Sequence, residues 1–139
     1  MAHLFLAIAL FSFSHGENIW PSKCHSNLRV MKAIEYVETR GHLGLVGSAG
    51  ELGTMQVLPK YSKYPKQVLK LRYVGRAEGC RIFGRFLRRA RGICSRKKCN
   101  AIHRAVMGYN AGNAGLRAES LSGRNYFLKV KRRMRRRSK

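Results

Sequence analysis

Residues 41–53, "GHLGLVGSAGELG", carry five glycines: Gly41, Gly44, Gly47, Gly50 and Gly53. Ordering a glycine inside a helix costs roughly 0.5–1 kcal/mol more than ordering an alanine. A stretch this rich in glycine is not a helix, and it reads as a loop lying close against something else. The chain before it follows another rule. Val30, Met31, Ile34 and Val37 recur at helical spacing, behind Ser22 and Ser26, which can cap. The pattern predicts a helix that ends at Gly41. Glu38 stands four residues after Ile34 and seven after Met31, so it projects from the apolar side of that helix. Glu35 is expected to point away, toward Lys32 and solvent, as a surface charge.

Beyond the loop, "TMQVLP" reads as the start of a short helix that Pro59 stops. "YSKYPKQVLKLRYVG" is a basic connection with a helix expected over residues 67–73. "CRIFGRFLRRARG" places Ile82, Phe83, Phe86, Leu87 and Ala90 on one face and five arginines on the rest, an amphipathic helix ended by Gly92. "CSRKKC" is a short loop. "NAIHRAVMGYNAG" is a further helix, stopped by Gly112 and Gly115. "NYFLKVKRRMRRRSK" begins apolar and becomes almost purely basic. With 139 residues and 45% apolar content, this is one mainly α domain with a core of its own.

Residues 1–16, "MAHLFLAIALFSFSHG", form an uncharged apolar run with a small-x-small site at Ser14 and Gly16, which reads as a signal peptide. An uncleaved anchor is the alternative, but the run is short of the roughly twenty residues a span needs. Four cysteines, Cys24, Cys80, Cys94 and Cys99, then read as two disulfides in an oxidising compartment. The competing zinc reading of Cys94, Cys99 and His103 has a spacing poor for a finger.

The acidic inventory excludes whole classes of chemistry. The chain has six glutamates and no aspartate, which removes Ser-His-Asp triads and Asp-rich calcium or magnesium sites. Against the six stand 29 Lys and Arg, for a formal charge of +23. Eleven of the cations fall in residues 70–98 and seven in a basic tail, residues 131–139. A solvated face is the plain reading. Attraction to a polyanion, an anionic polymer of a cell envelope or a nucleic acid, is the functional one.

Four blocks together resemble one family, the lysozyme-like lytic transglycosylases that cut the glycan strands of peptidoglycan. "AIEYVET" is similar to the family's catalytic helix, with Glu38 at the catalytic position and Thr39 where Ser is usual. "SAGELGTMQVLP" resembles S-x-x-G-x-x-G-x-M-Q-x-x-P: Gly50, Gly53, Met55, Gln56 and Pro59 are in register, while Ser48 comes one position late and Gly47 holds the family's Ser place. "GYNAG" matches A-Y-N-A-G with Gly108 for Ala. "NYFLKV" matches Y-V-x-K-V and puts Tyr126 at a late active-site tyrosine. The blocks come in the family's order and span about residues 24–130.

The resemblance implies a lysozyme-like α domain (of the α+β superfamily) with a glycine-rich active-site loop, residues 17–130, and substrate contacts from Gly53, Met55, Gln56, Tyr109, Asn110 and Tyr126. A likeness to members found with secretion and conjugation machineries, through Cys24 and "CRIFG", implies the pairs Cys24–Cys80 and Cys94–Cys99. It also implies an exported, periplasmic or cell-envelope monomer, or a virion-associated one, acting on peptidoglycan without metal or cofactor.

Residue chemistry points the same way. Glycosidic cleavage needs an acid for the leaving oxygen, and a carboxyl supplies it near neutrality only where its surroundings raise its pKa. Glu38, on the apolar side of its helix, is placed for that. Family members use one carboxylate, with the sugar's own C6 hydroxyl as nucleophile. Glu51 is the candidate second carboxylate, and with it simple hydrolysis is the alternative activity; a basic polyanion- or DNA-binding protein on a lysozyme-like scaffold is the other. Ser48 lacks a His-acid pair and reads as loop-fixing, and His42 and His103 have no assigned role.

Overall fold

The computed structural model describes residues 19–136; residues 1–18, which include the run expected to be a signal peptide, and the last three residues of the basic tail lie outside them. Among the described residues the protein is mainly helical, with four α-helices and no sheet. A 3-10 turn, Ser22–Asn27, leads into α1, Leu28–Thr39. The long helix α2 runs Arg72–Lys97, α3 Ala101–Leu116 and α4 Leu121–Arg136. None of these helices is long and apolar enough to cross a membrane.

Helix α1 ends as its glycine predicts. Arg40 takes the left-handed conformation (φ 54°) and donates its N–H to the Tyr36 carbonyl at 2.9 Å. Val30, Met31 and Ile34 enter the core and Val37 packs against it. Glu35 does not behave as expected: it is buried rather than solvent-facing. Met31 and Thr39, one turn to either side of it, are also buried, so the inward face is wider than the apolar residues alone suggest.

The glycine-rich stretch folds as a loop with two isolated antiparallel bridges, Val46 to Leu52 and Leu52 to Val57. The expected short helix at "TMQVLP" is absent. Residues 53–56 form a turn instead, with Gly53 (φ 74°) and Gln56 (φ 49°) both left-handed, and Leu52 and Val57 exchange both backbone hydrogen bonds across it. A Cβ on Gly53 would sit 2.4 Å from the Leu69 carbonyl oxygen, so only glycine fits. Pro59–Tyr61 is a single 3-10 turn.

Helix α2 corrects two further expectations. It begins at Arg72, not at Cys80, replacing the short helix expected over residues 67–73, and it runs past Gly92 to Lys97. Its buried stripe reads Arg76, Cys80, Phe83, Leu87, Ala90, Cys94, alternating four- and three-residue steps. In α3, Gly112 (φ 60°, ψ −138°) breaks the helix where the sequence predicts a stop, and a short helical stretch resumes to Leu116. Helix α4 buries Gly123, Tyr126 and Val130 and carries residues 131–136 in its final turns, so most of the basic tail is helical.

Cys24 is bonded to Cys80 and Cys94 to Cys99, the two pairs that the resemblance implies. The first joins chain positions 56 residues apart and the second only five. Loop-closure entropy then predicts that removing the first pair (Cys24→Ser with Cys80→Ser) lowers unfolding free energy by about 2 kcal/mol more than removing the second. Chemical denaturation of the two double variants checks this; equal losses would contradict it.

Candidate active site

Glu38 lies one residue from the end of α1, where the helix meets α4. The inward stripe of α4 aims Tyr126 at it, and the phenol donates a hydrogen bond to Glu38 Oε1 at 2.5 Å. Burial pushes the Glu38 carboxyl up to about 7. The charge of Glu51 pushes the same way, while the Tyr126 hydroxyl and the charge of Lys129 pull back toward the ionised form. Desolvation wins. Glu38 is thus a carboxyl that can hold or release a proton near neutral pH.

Two phenols surround this acid and stay protonated. Burial, followed by the negative charge of Glu38, holds both Tyr109 and Tyr126 well above the usual tyrosine value. Tyr109 donates to the Met55 carbonyl at 2.8 Å, which ties α3 to the turn after the glycine-rich loop. Gln56 Nε2 donates to the Gly53 and Leu45 carbonyls at 3.1 and 3.2 Å, bracing the loop from inside. Glu51 folds over its own turn, where Oε2 accepts the Ala49 N–H at 3.0 Å. That turn is closed by the Gly47 N–H on the Glu51 carbonyl, with exposed Ser48 at its tip.

The structure therefore joins Glu38 directly to Tyr126 and sets Tyr109, Gln56 and Glu51 in the framework around them. Gly53 and Met55, also implied as substrate contacts, lie in the turn whose carbonyls Gln56 and Tyr109 hold. Gly53 is buried against Leu69, and Met55 is fully buried, filling the space under Gly79. Asn110 is exposed on α3 just before the break at Gly112. His103 packs its ring on Phe127, with centroids 4.3 Å apart, and His42 is exposed on the loop.

A second cluster, missed at the sequence level, positions the first. Arg76 reaches Glu35 through two bonds, Nε to Oε2 and Nη2 to Oε1, each 2.8 Å. Thr54 Oγ1 donates to Glu35 Oε2 at 2.7 Å, and Thr39 Oγ1 donates to the Thr54 carbonyl at 2.8 Å. The last turn of α1 is thereby fixed to both α2 and the residue 53–56 turn, on either side of Glu38 in sequence. The available signal was Arg76 itself, four residues before Cys80 on the apolar stripe of α2, where a buried cation demands an acid. A cavity of about 430 Å³ opens beside this pair, lined by Trp20, Lys32, Tyr36, Arg40 and Arg72 among others; Glu38 is not part of its wall.

The chain matches no protein-family model, no curated protein and no solved structure.

Proposed function

We propose that the protein is a peptidoglycan lytic transglycosylase of lysozyme-like fold, with Glu38 as its single acid and base. The observation that carries the reading is the Glu38 carboxyl, raised to about 7 and hydrogen-bonded to Tyr126. The order of the four sequence blocks adds to it. The use of Glu51 in its own turn favours one working carboxylate over two.

Protonated Glu38 gives its proton to the oxygen between MurNAc and GlcNAc while the bond from that oxygen to C1 breaks. Positive charge builds on C1 and the ring oxygen. As Glu38 becomes ionised, the Tyr126 hydroxyl stabilises the carboxylate it faces. The C6 hydroxyl of the same MurNAc attacks C1, its proton passes to Glu38, and the new C1–O6 bond closes a 1,6-anhydro ring. The acid is restored and no water is consumed.

Mass spectrometry of the fragments released from purified peptidoglycan tests this. Anhydro ends, one water lighter than reducing ends, are expected. Reducing ends would assign a hydrolase to the same residues, and intact glycan would end the enzymatic reading.

A further inference from the structure

We infer that the outer face of α2 is a docking surface for duplex nucleic acid, held through the phosphodiester groups. The inference is independent of the proposed cleavage activity and rests on how the few acids are distributed. Among the described residues Glu35 is bonded to Arg76, Glu78 to Arg81 and Glu119 to Arg117, while Glu38 and Glu51 belong to the site above. None is left for Arg85, Arg88, Arg89 and Arg96. These four are exposed on the side of α2 opposite its buried Phe83, Leu87, Ala90 and Cys94.

Like charges three and four residues apart on a helix repel one another, so this face is unfavourable until an anion covers it. Gly92 lies in the same stripe. It is exposed, its φ is not left-handed, and a Cβ there would touch nothing. No contact within the protein requires glycine, and glycine weakens a helix. What its missing side chain allows is close approach from outside, between Arg88 and Arg89 on one side and Arg96 on the other.

The chemistry of the face selects among polyanions. From Arg85 to Lys98 the exposed residues are Arg, Lys, Gly92 and Ser95 only, so nothing apolar is offered for insertion into a bilayer. Guanidinium forks match phosphate oxygens in pairs, and from Arg85 to Arg96 the helix presents them along roughly 16 Å, on the scale of half a turn of duplex. The face carries no Asn or Gln to read adenine, and the phosphate oxygens are the acceptors that its arginine forks meet first on any duplex sequence. The basic end of α4 is a poorer candidate. Arg133 stacks 3.5 Å from the Tyr36 ring centroid, and the Met134 carbonyl accepts from Arg29.

The test is fluorescence anisotropy of a short labelled duplex, titrated with the full protein over a range of salt. One variant changes Arg85, Arg88, Arg89 and Arg96 to Gln; a charge-matched control changes the exposed Arg124, Arg132, Arg135 and Arg136 to Gln. The α2 variant should lower the salt-dependence slope by roughly three to four and weaken binding about 100-fold at moderate salt, whereas the control should move the slope by less than about one. Gly92→Leu, with unchanged charge, should weaken binding while leaving the fold at least as stable. Equal losses in the two charge variants, unchanged affinity in Gly92→Leu, or binding to phosphatidylglycerol vesicles but not to duplex would each overturn the assignment.

Discussion

Glu38→Gln should reduce glycan cleavage by at least about 10²–10⁴-fold, the range that a positioned general acid contributes. Glutamine keeps the shape of the side chain and an oxygen to accept the Tyr126 hydroxyl, but has no proton to give the leaving oxygen. The same substitution should leave the protein as stable as before, or more so, and the dependence on pH has a definite sign. A carboxyl whose folded pKa is about 7, above its ordinary 4.5, favours the folded state fully below pH 4.5, and that contribution is lost as the pH rises through 7. Above pH 7 the wild-type protein must hold a half-buried, desolvated carboxylate that the variant lacks. Glu38→Gln should therefore equal wild type in acid and exceed it at pH 8, by roughly 3 kcal/mol at most. An inactive variant that is less stable at pH 8 would mean that its inactivity reports misfolding.

The neighbours of Glu38 should tune the same proton in opposite directions. Activity that needs protonated Glu38 falls as the pH passes about 7. Tyr126→Phe removes the hydrogen bond that favours the carboxylate, so the fall should move to higher pH. Glu51→Gln removes a negative charge that favours the acid, so it should move to lower pH. Profiles of kcat/KM against pH for the three proteins check the pair of shifts together.

The chain shows α1 and its acid plainly, because the helix is bounded by serines and a glycine and its apolar residues keep one period. It hides the partners of that helix. Gly75 and Gly79 look like interruptions and delay the expected start of α2, but they are there for contact: a Cβ on Gly79 would lie 2.9 Å from the Met55 side chain, and one on Gly75 3.1 Å from the Leu69 carbonyl. With α2 begun late, Arg76 falls in a connection and its need for an acid is invisible. Glu35 then looks like surface charge. "TMQVLP" carries a helical pattern that tertiary packing overrides, since burying Met55 under α2 requires the turn that Gly53 and Gln56 make. Local periodicity records which face of a helix is inward, but not what lies across from it.

That hidden pair carries the largest stability prediction. Arg76→Met should cost about 3–5 kcal/mol of unfolding free energy at neutral pH, because it leaves Glu35 buried with the Thr54 hydroxyl as its hydrogen-bond donor and only the charge of Arg72 to offset its own, and strips the Ile19 carbonyl of its 2.7 Å donor. Burial pushes the Glu35 carboxyl up, yet the hydrogen bonds and charge of Arg76, with Thr54 and Arg72, hold it below 4.5. In the wild type the pair therefore stabilises above pH 4.5 and weakens as the pH falls through that lowered value. In Arg76→Met the carboxyl has lost its bonded cation and rises, so the deficit should be full at pH 7 and narrow on acidification. Replacing both members, Glu35→Met with Arg76→Met, removes the stranded charge and should recover most of the loss, since two apolar side chains of similar size pack where the ions met. If the double variant is as unstable as the single one, the ion pair itself and not the avoidance of a bare charge holds α1 to α2. Cleavage by the repaired protein then separates stability from positioning. Thr39 still bonds to the Thr54 carbonyl, so Glu38 should keep its place and its activity; a stable but inactive double variant would show that Glu35 and Arg76 are needed to aim the acid.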